Sequence, residues 1–82
     1  MPTWYVYIVR CADGSLYTGI TKNVAARVQS HNAGSGVKYT RSRKPVKLVR
    51  TEAYRTESRA RKREAAIKKL SHEQKESLIS SG

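Results

Sequence analysis

The chain is short of acidic residues, has a single cysteine and contains no apolar run long enough to enter a bilayer. Six Asp and Glu stand against seventeen Lys and Arg, giving a formal charge of +11. Fold stability does not require such an imbalance, and self-repulsion makes it costly. The expected partner is therefore a nucleic acid, because counterion release from phosphates rewards clustered Lys and Arg. A basic domain serving only solubility, or a ribosome-associated protein, is the blander alternative, and a small interaction protein whose basic surface meets an acidic partner is a third reading. Cys11 alone permits neither an intramolecular disulfide nor a multi-cysteine zinc site. At a strand end with no base beside it, it reads as a small buried residue rather than a nucleophile. The longest apolar stretch, Tyr5 to Val9, is much too short to span a membrane, and the N-terminus lacks a basic segment leading into a signal-type apolar core. A cytoplasmic protein with no membrane and no obligate protein partner is expected. There is no internal repeat or linker, and 82 residues suggest one domain, 1–82, whose small core buries about 60–65% of the unfolded surface.

The extended, β-branched and aromatic run Trp4 to Val9 passes through Ala12-Asp13-Gly14-Ser15 and resumes at Leu16 to Ile20. This is a β-hairpin signal, with Asp-Gly expected to supply the positive φ angles of a type I′ turn. Thr21 or Asn23 then caps a helix from about Val24 to Asn32, which Gly34 ends. The stretch from Ala33 to Lys44 reads as a basic loop, in which Lys38, Arg41, Arg43 and Lys44 surround Tyr39. Cations mixed with an aromatic suit phosphate contact and stacking on a base. Pro45 opens a third strand, Val46 to Ala53, with imperfect alternation. It is expected to join the hairpin in a three-stranded antiparallel sheet, since a bare hairpin is marginal in water. Thr56 caps a long helix to about Leu70. Ser71 with Gln74 forms a capping box for a short helix to about Ile79, whose Leu78 and Ile79 cover the sheet ahead of a frayed Ser80-Ser81-Gly82 tail. The fold class expected is α+β, a three-stranded antiparallel sheet flanked by helices.

Several polar residues in this scheme exceed what folding requires. Alternation puts Tyr5 and Tyr7 on one face of the hairpin and Tyr17 with Gly19 on one face of the partner strand. Arg27 and His31, four residues apart, share a helix face beside Val24 and Val28. Two phenols, a guanidinium and an imidazole can therefore converge. On the long helix, Ala60, Glu64 and Ile67 fall in one narrow stripe. An ion pair with Lys68 is the innocent explanation of the carboxylate there. An inward acid in a phosphate-binding protein would otherwise repel its ligand unless a cation sat between them, which points to a metal. A glycine in a strand lets a ligand or another backbone approach closely, so Gly19 leaves room for a phosphate beside Tyr17 or marks a simple bulge.

Tyr5-Val6-Tyr7, then Tyr17-Thr18-Gly19, then Lys22-Asn23-x-x-x-Arg27 and His31, together resemble the signature of the GIY-YIG nuclease superfamily, and within it the small stand-alone bacterial branch. The likeness runs from Trp4 to about Ile79. Tyr5 stands where the first motif has glycine, and Thr18 where the second has isoleucine. The resemblance implies a bacterial-type GIY-YIG domain in which Tyr7 and Tyr17 lie next to the attacking water, His31 assists proton removal and Glu64 holds the divalent ion. The general base falls to Tyr7, Tyr17 or His31, with Tyr7 foremost. A free phenol, with a pKa near 10, is a poor base unless a cation lowers that value or a histidine takes the proton onward. Arg27 offers a permanently charged planar fork for the transition state. One carboxylate suffices for Mg²⁺ (or Mn²⁺), which keeps several waters and takes other ligands from substrate phosphate. The expected activity is metal-dependent endonucleolytic hydrolysis of DNA, branched or damaged DNA included. Sequence preference should be slight, because the specificity domain carried by sequence-specific members is not evident and phosphate contacts dominate. The alternative is a non-catalytic basic nucleic-acid-binding module of the same fold.

Overall fold

A computed structural model describes residues 3–81. Strands β1 (Trp4–Arg10) and β2 (Leu16–Thr21) form the hairpin, followed by α1 (Val24–Asn32) and a single helical turn α2 (Lys38–Arg41). Strand β3 (Lys47–Tyr54) and helices α3 (Glu57–Lys68) and α4 (His72–Ser81) complete the order. The expected α+β architecture is present, with strand order β2-β1-β3 and both pairings antiparallel.

The central strand divides the core. Val6 and Ile8 face α3 and α4, where they pack with Leu16, Ala60 and Ile67 and are flanked by Leu78 and Ile79. Tyr7 and Val9 face the other way, toward Cys11, Val46, Val24 and Val28. Being central and covered on both sides, β1 needs apolar residues at both parities, which accounts for its unbroken Val6 to Val9 run. Cys11 is buried, as expected of a packing residue.

Helix starts follow the local chemistry. The Asn23 side chain accepts from the Ala26 N–H at 3.0 Å, which settles the α1 cap in favour of Asn23. Thr56 accepts from the Arg59 N–H. Ser71 and Gln74 bond reciprocally, at 2.9 and 3.1 Å. Gly34, with φ +83°, ends α1 in the left-handed conformation. At the end of β1, Arg10 forms an ion pair with Glu76 on α4, so the last helix is fastened across the sheet as well as packed on it.

Four details differ from the sequence-based expectation. Within the hairpin turn only Gly14 has a positive φ, +85°, so the turn is not type I′, which requires it at two residues. Asp13 instead accepts from the Ser15 N–H and Oγ while Arg43 donates to its other oxygen, and the Gly14 N–H closes on the Cys11 carbonyl. These contacts hold Asp13 in an ordinary negative-φ turn. The basic loop contains α2, too short to carry a periodic signal. The irregular alternation of β3 is a bulge: Ile8 pairs with Arg50 but Val9 pairs with Leu48, leaving Val49 as the extra residue. Finally, α4 continues to Ser81, so Ser80 and Ser81 are helical; Gly82 lies outside the described residues.

On the α3 side of β3, Glu52 collects Arg63 at 2.8 Å, Arg50 at 2.9 Å and the Tyr54 hydroxyl at 2.8 Å. The Asn32 amide pairs with both backbone groups of Val46, 2.6 Å from its N–H and 3.1 Å from its carbonyl. This joins the end of α1 to the entry of β3 and sets the basic segment between two fixed points.

Candidate active site

Tyr7 leaves β1 on the α1 side and crosses the strand beside it. Its Cα partner there is Gly19. A Cβ at position 19 would stand 2.6 Å from the Tyr7 hydroxyl and 2.8 Å from Cζ. The space that glycine leaves is thus filled by the Tyr7 ring, which reaches over the edge strand β2. The expectation of room for a phosphate, or of a bulge, at Gly19 is corrected: β2 keeps its register with β1 there, and the space is filled by a phenol from within the chain.

The hydroxyl ends 3.0 Å from His31 Nε2. His31 sits in the last turn of α1 with no exposed surface, and its Nδ1 lies 2.7 Å from Thr40 Oγ1 on α2. Gly36 closes the cage, since a Cβ there would come within 2.5 Å of Nδ1. Tyr17 packs beside both groups, its ring centroid 6.4 Å from that of Tyr7 and 5.6 Å from the imidazole. Beyond it stands Tyr39, 5.7 Å away, with the Arg43 guanidinium 4.1 Å from the Tyr39 ring.

Arg27, one turn before His31, is exposed at the rim. From the opposite helix layer, α3 brings Glu64 to the same edge. Its side chain is 18% exposed and pairs with Lys68 at 3.1 Å, while Lys68 Nζ also lies 5.9 Å from the Tyr17 ring centroid. The two explanations weighed for Glu64 meet here: it has an ion pair, and its charge is felt at the Tyr7 hydroxyl.

Electrostatics separate the roles of these groups. The Tyr7 pKa is pushed up to about 12, foremost by burial and next by Tyr17, with Glu64 adding to the rise; the positive charge of Arg27 pulls the other way and is outweighed. Tyr7 is therefore a neutral hydroxyl at neutral pH. Burial, and then the Arg27 charge, lower the pKa of His31 from its ordinary value, so the imidazole is neutral and able to accept a proton.

Among the described residues no three His, Cys, Asp or Glu side chains gather as a metal cage. Glu64 alone offers a hard, partly shielded carboxylate oxygen whose present partner is an exposed ammonium. That donor set fits a largely hydrated Mg²⁺ that takes its remaining ligands from a substrate phosphate, and fits no ion that demands several protein ligands.

Tyr7, Tyr17, Gly19, Arg27, His31 and Glu64 are thus brought to one sheet edge. Lys38, Arg41 and Lys44 are exposed on the adjoining segment. Arg43 is half-exposed and held along the surface, donating to Asp13 and to the Tyr39 carbonyl. Thr40 and Gly36 carry no signal in the sequence, because neither belongs to a periodic pattern and both contact His31 only through the fold of the loop.

An α+β domain with phenols, imidazole, guanidinium and carboxylate around one edge strand is a nuclease-like architecture. The chain belongs to the GIY-YIG family: the profile described as GIY-YIG catalytic domain matches residues 3–77. Its relatives include a UPF0213 protein of Desulfotalea psychrophila, 57% identical over 79 residues covering 95% of this chain and 72% of that one. A UPF0213 protein of Staphylococcus aureus is 54% identical over 79 residues, covering 96% of each. Two solution structures are similar. The UPF0213 protein of Bacillus halodurans matches with TM-score 0.62 and 46% identity over 95% of this chain and 83% of that one. A protein of E. faecalis matches with TM-score 0.66 and 43% identity over 99% and 86%.

Proposed function

We propose that this protein is a divalent-metal-dependent DNA endonuclease with little sequence preference, acting in the bacterial cytoplasm. The observation that carries the reading is the buried Tyr7–His31 hydrogen bond at the β2 edge, beside a carboxylate and a permanent cation. His31, neutral and already bonded to the phenol, is the terminal proton acceptor. As an attacking water loses a proton to the Tyr7 oxygen, Tyr7 passes its own proton to Nε2, so no phenolate need accumulate. Tyr17 lines the position of the water, and Arg27 takes the phosphoryl oxygens with its planar fork. Glu64 would hold Mg²⁺ or Mn²⁺, which supplies charge neutralisation when bound. Lys38, Arg41 and Lys44 track the phosphate backbone, while Tyr39, braced by Arg43, forms the aromatic wall of that track. Contacts of this kind position a duplex without reading its bases.

The Lys68–Glu64 ion pair favours the one serious alternative, a basic nucleic-acid-binding module in which Glu64 is structural. Nicking of supercoiled and branched DNA in Mg²⁺ or Mn²⁺ distinguishes the two. The nuclease reading expects cleavage by the native protein, abolished in Glu64→Ala with DNA binding retained or strengthened. Equal background activity in both proteins would leave the binding module.

A further inference from the structure

We propose that Thr40 is a positioning residue that fixes His31 in the tautomer protonated on Nδ1, so that the Nε2 lone pair faces the Tyr7 hydroxyl. The inference rests on the nuclease reading for its purpose but on hydrogen-bond geometry for its content. Three buried groups stand in line: the Tyr7 hydroxyl 3.0 Å from His31 Nε2, and His31 Nδ1 2.7 Å from Thr40 Oγ1, which in turn lies 3.1 Å from the Val37 carbonyl. Tyr7 is 1% exposed, and His31 and Thr40 not at all.

The direction of the chain is fixed at both ends. A carbonyl can only accept, so the Thr40 hydroxyl that bonds it is the donor, and its oxygen is left to accept from Nδ1–H. At the other end, the phenolic proton of Tyr7 has one acceptor within reach among the described residues, and that is Nε2. The opposite tautomer would place Nε2–H against the phenol and leave a buried Tyr7 proton without a partner, an arrangement that costs the full desolvation of that donor. Arg27, which has donors only, can face the phenol oxygen but cannot take its proton.

The consequence is an imidazole held ready to accept. When the proton moves from Tyr7 Oη to Nε2, the phenol oxygen receives one from the water and the water becomes hydroxide, so the phenol ends neutral as it began. The imidazolium formed keeps its Nδ1–H on Thr40. Gly36 belongs to the same device, since a side chain there would displace the ring edge that bonds Thr40.

The decisive measurement is the long-range ¹H–¹⁵N correlation spectrum of the native protein, which reports the protonated nitrogen of His31 and needs no turnover. A proton on Nδ1 alone is expected in native protein and in Thr40→Ser. Loss of that preference is expected in Thr40→Val, together with a fall in cleavage of at least about tenfold at unchanged DNA affinity, since general acid–base groups contribute about 10²–10⁴. Recovery of the native rate in Thr40→Ser would separate the hydroxyl from mere packing. A native His31 protonated on Nε2, or a folded Thr40→Val with native tautomer and native rate, would overturn the proposal. If the native protein cleaved no DNA, the nuclease reading would fail while the spectrum still decided the role of Thr40.

Discussion

Gly19 and Tyr7 share one volume. A Cβ on Gly19 would come 2.6 Å from the Tyr7 hydroxyl, and the ring that would have to move is 1% exposed and bonded to a fully buried histidine. Neither neighbour can yield without breaking the Tyr7–His31 contact. Gly19→Ala should therefore lower unfolding free energy by about 1–3 kcal/mol, the usual range for overpacking, and abolish DNA cleavage while leaving DNA affinity near native. Urea denaturation alongside a nicking assay would check both. A stable, fully active variant would mean that the ring does not cross β2 in solution.

The next residue back presents the opposite case. Thr18 is buried on the α3 face opposite Ile8, and its Oγ1 has no hydrogen-bond partner among the described residues. An unsatisfied buried hydroxyl is costly, and replacing it with a methyl of the same shape removes the cost. Thr18→Val should be neutral or stabilising, by up to about 2 kcal/mol, with a melting temperature rise of about 4–8 °C per kcal/mol for a domain of this size. A clear loss of stability on thermal unfolding would indicate that the hydroxyl is satisfied, for example by a bound water.

Acid sensitivity should centre on Glu52. Hydrogen bonds from Arg63, then from Tyr54 and Arg50, hold its carboxyl at about 2 against the opposing effect of burial, compared with about 4.5 for the free group. The folded state thus binds fewer protons than the unfolded chain. The stabilisation is complete above about pH 4.5 and is lost as pH falls toward 2. The urea midpoint of native protein should drop steadily over that window. In Glu52→Gln the drop should be shallower, with a lower starting stability of about 1.5–3 kcal/mol, typical of charge-assisted hydrogen bonds. Superimposable pH profiles would remove Glu52 from this role.

Arg41 and Arg43 should separate in the same way on DNA. Arg41 is exposed, whereas Arg43 is bonded to Asp13 and the Tyr39 carbonyl and covers the Tyr39 ring. Arg41→Ala should weaken binding uniformly across sequences and reduce the slope of log affinity against log salt by about 0.9, the value for one phosphate contact on duplex DNA. Arg43→Ala should chiefly lower stability. Fluorescence titrations at several salt concentrations would test this, and an unchanged slope for Arg41→Ala would remove it from the interface.

Several features are readable along the chain because their causes are local. Asn23, Thr56 and the Ser71–Gln74 box cap the helices that follow them within three residues, and Gly34 terminates α1 through its own φ. The stripe of Ala60 and Ile67 is buried as the helical period requires, and Glu64 lies between them on the same side. The turn at Asp13 is the instructive exception: its dipeptide suits type I′, but a long-range bond from Arg43 and two bonds from Ser15 favour a different geometry. The bulge at Val49 likewise needs the register of β1 against β3, which no stretch of β3 contains.

Residue order alone determined the α+β class, the order of the three strands and the three longer helices, the excess of cations and the identity of the groups able to do chemistry, because propensity, periodicity and capping act over a few residues. Tertiary structure alone decided that Tyr7 lies across Gly19, that Thr40 orients His31, and that Arg43 braces a ring. Each of these depends on distances between segments remote in the chain, and such distances exist only after β1 is paired on both edges and α2 is packed beneath α1.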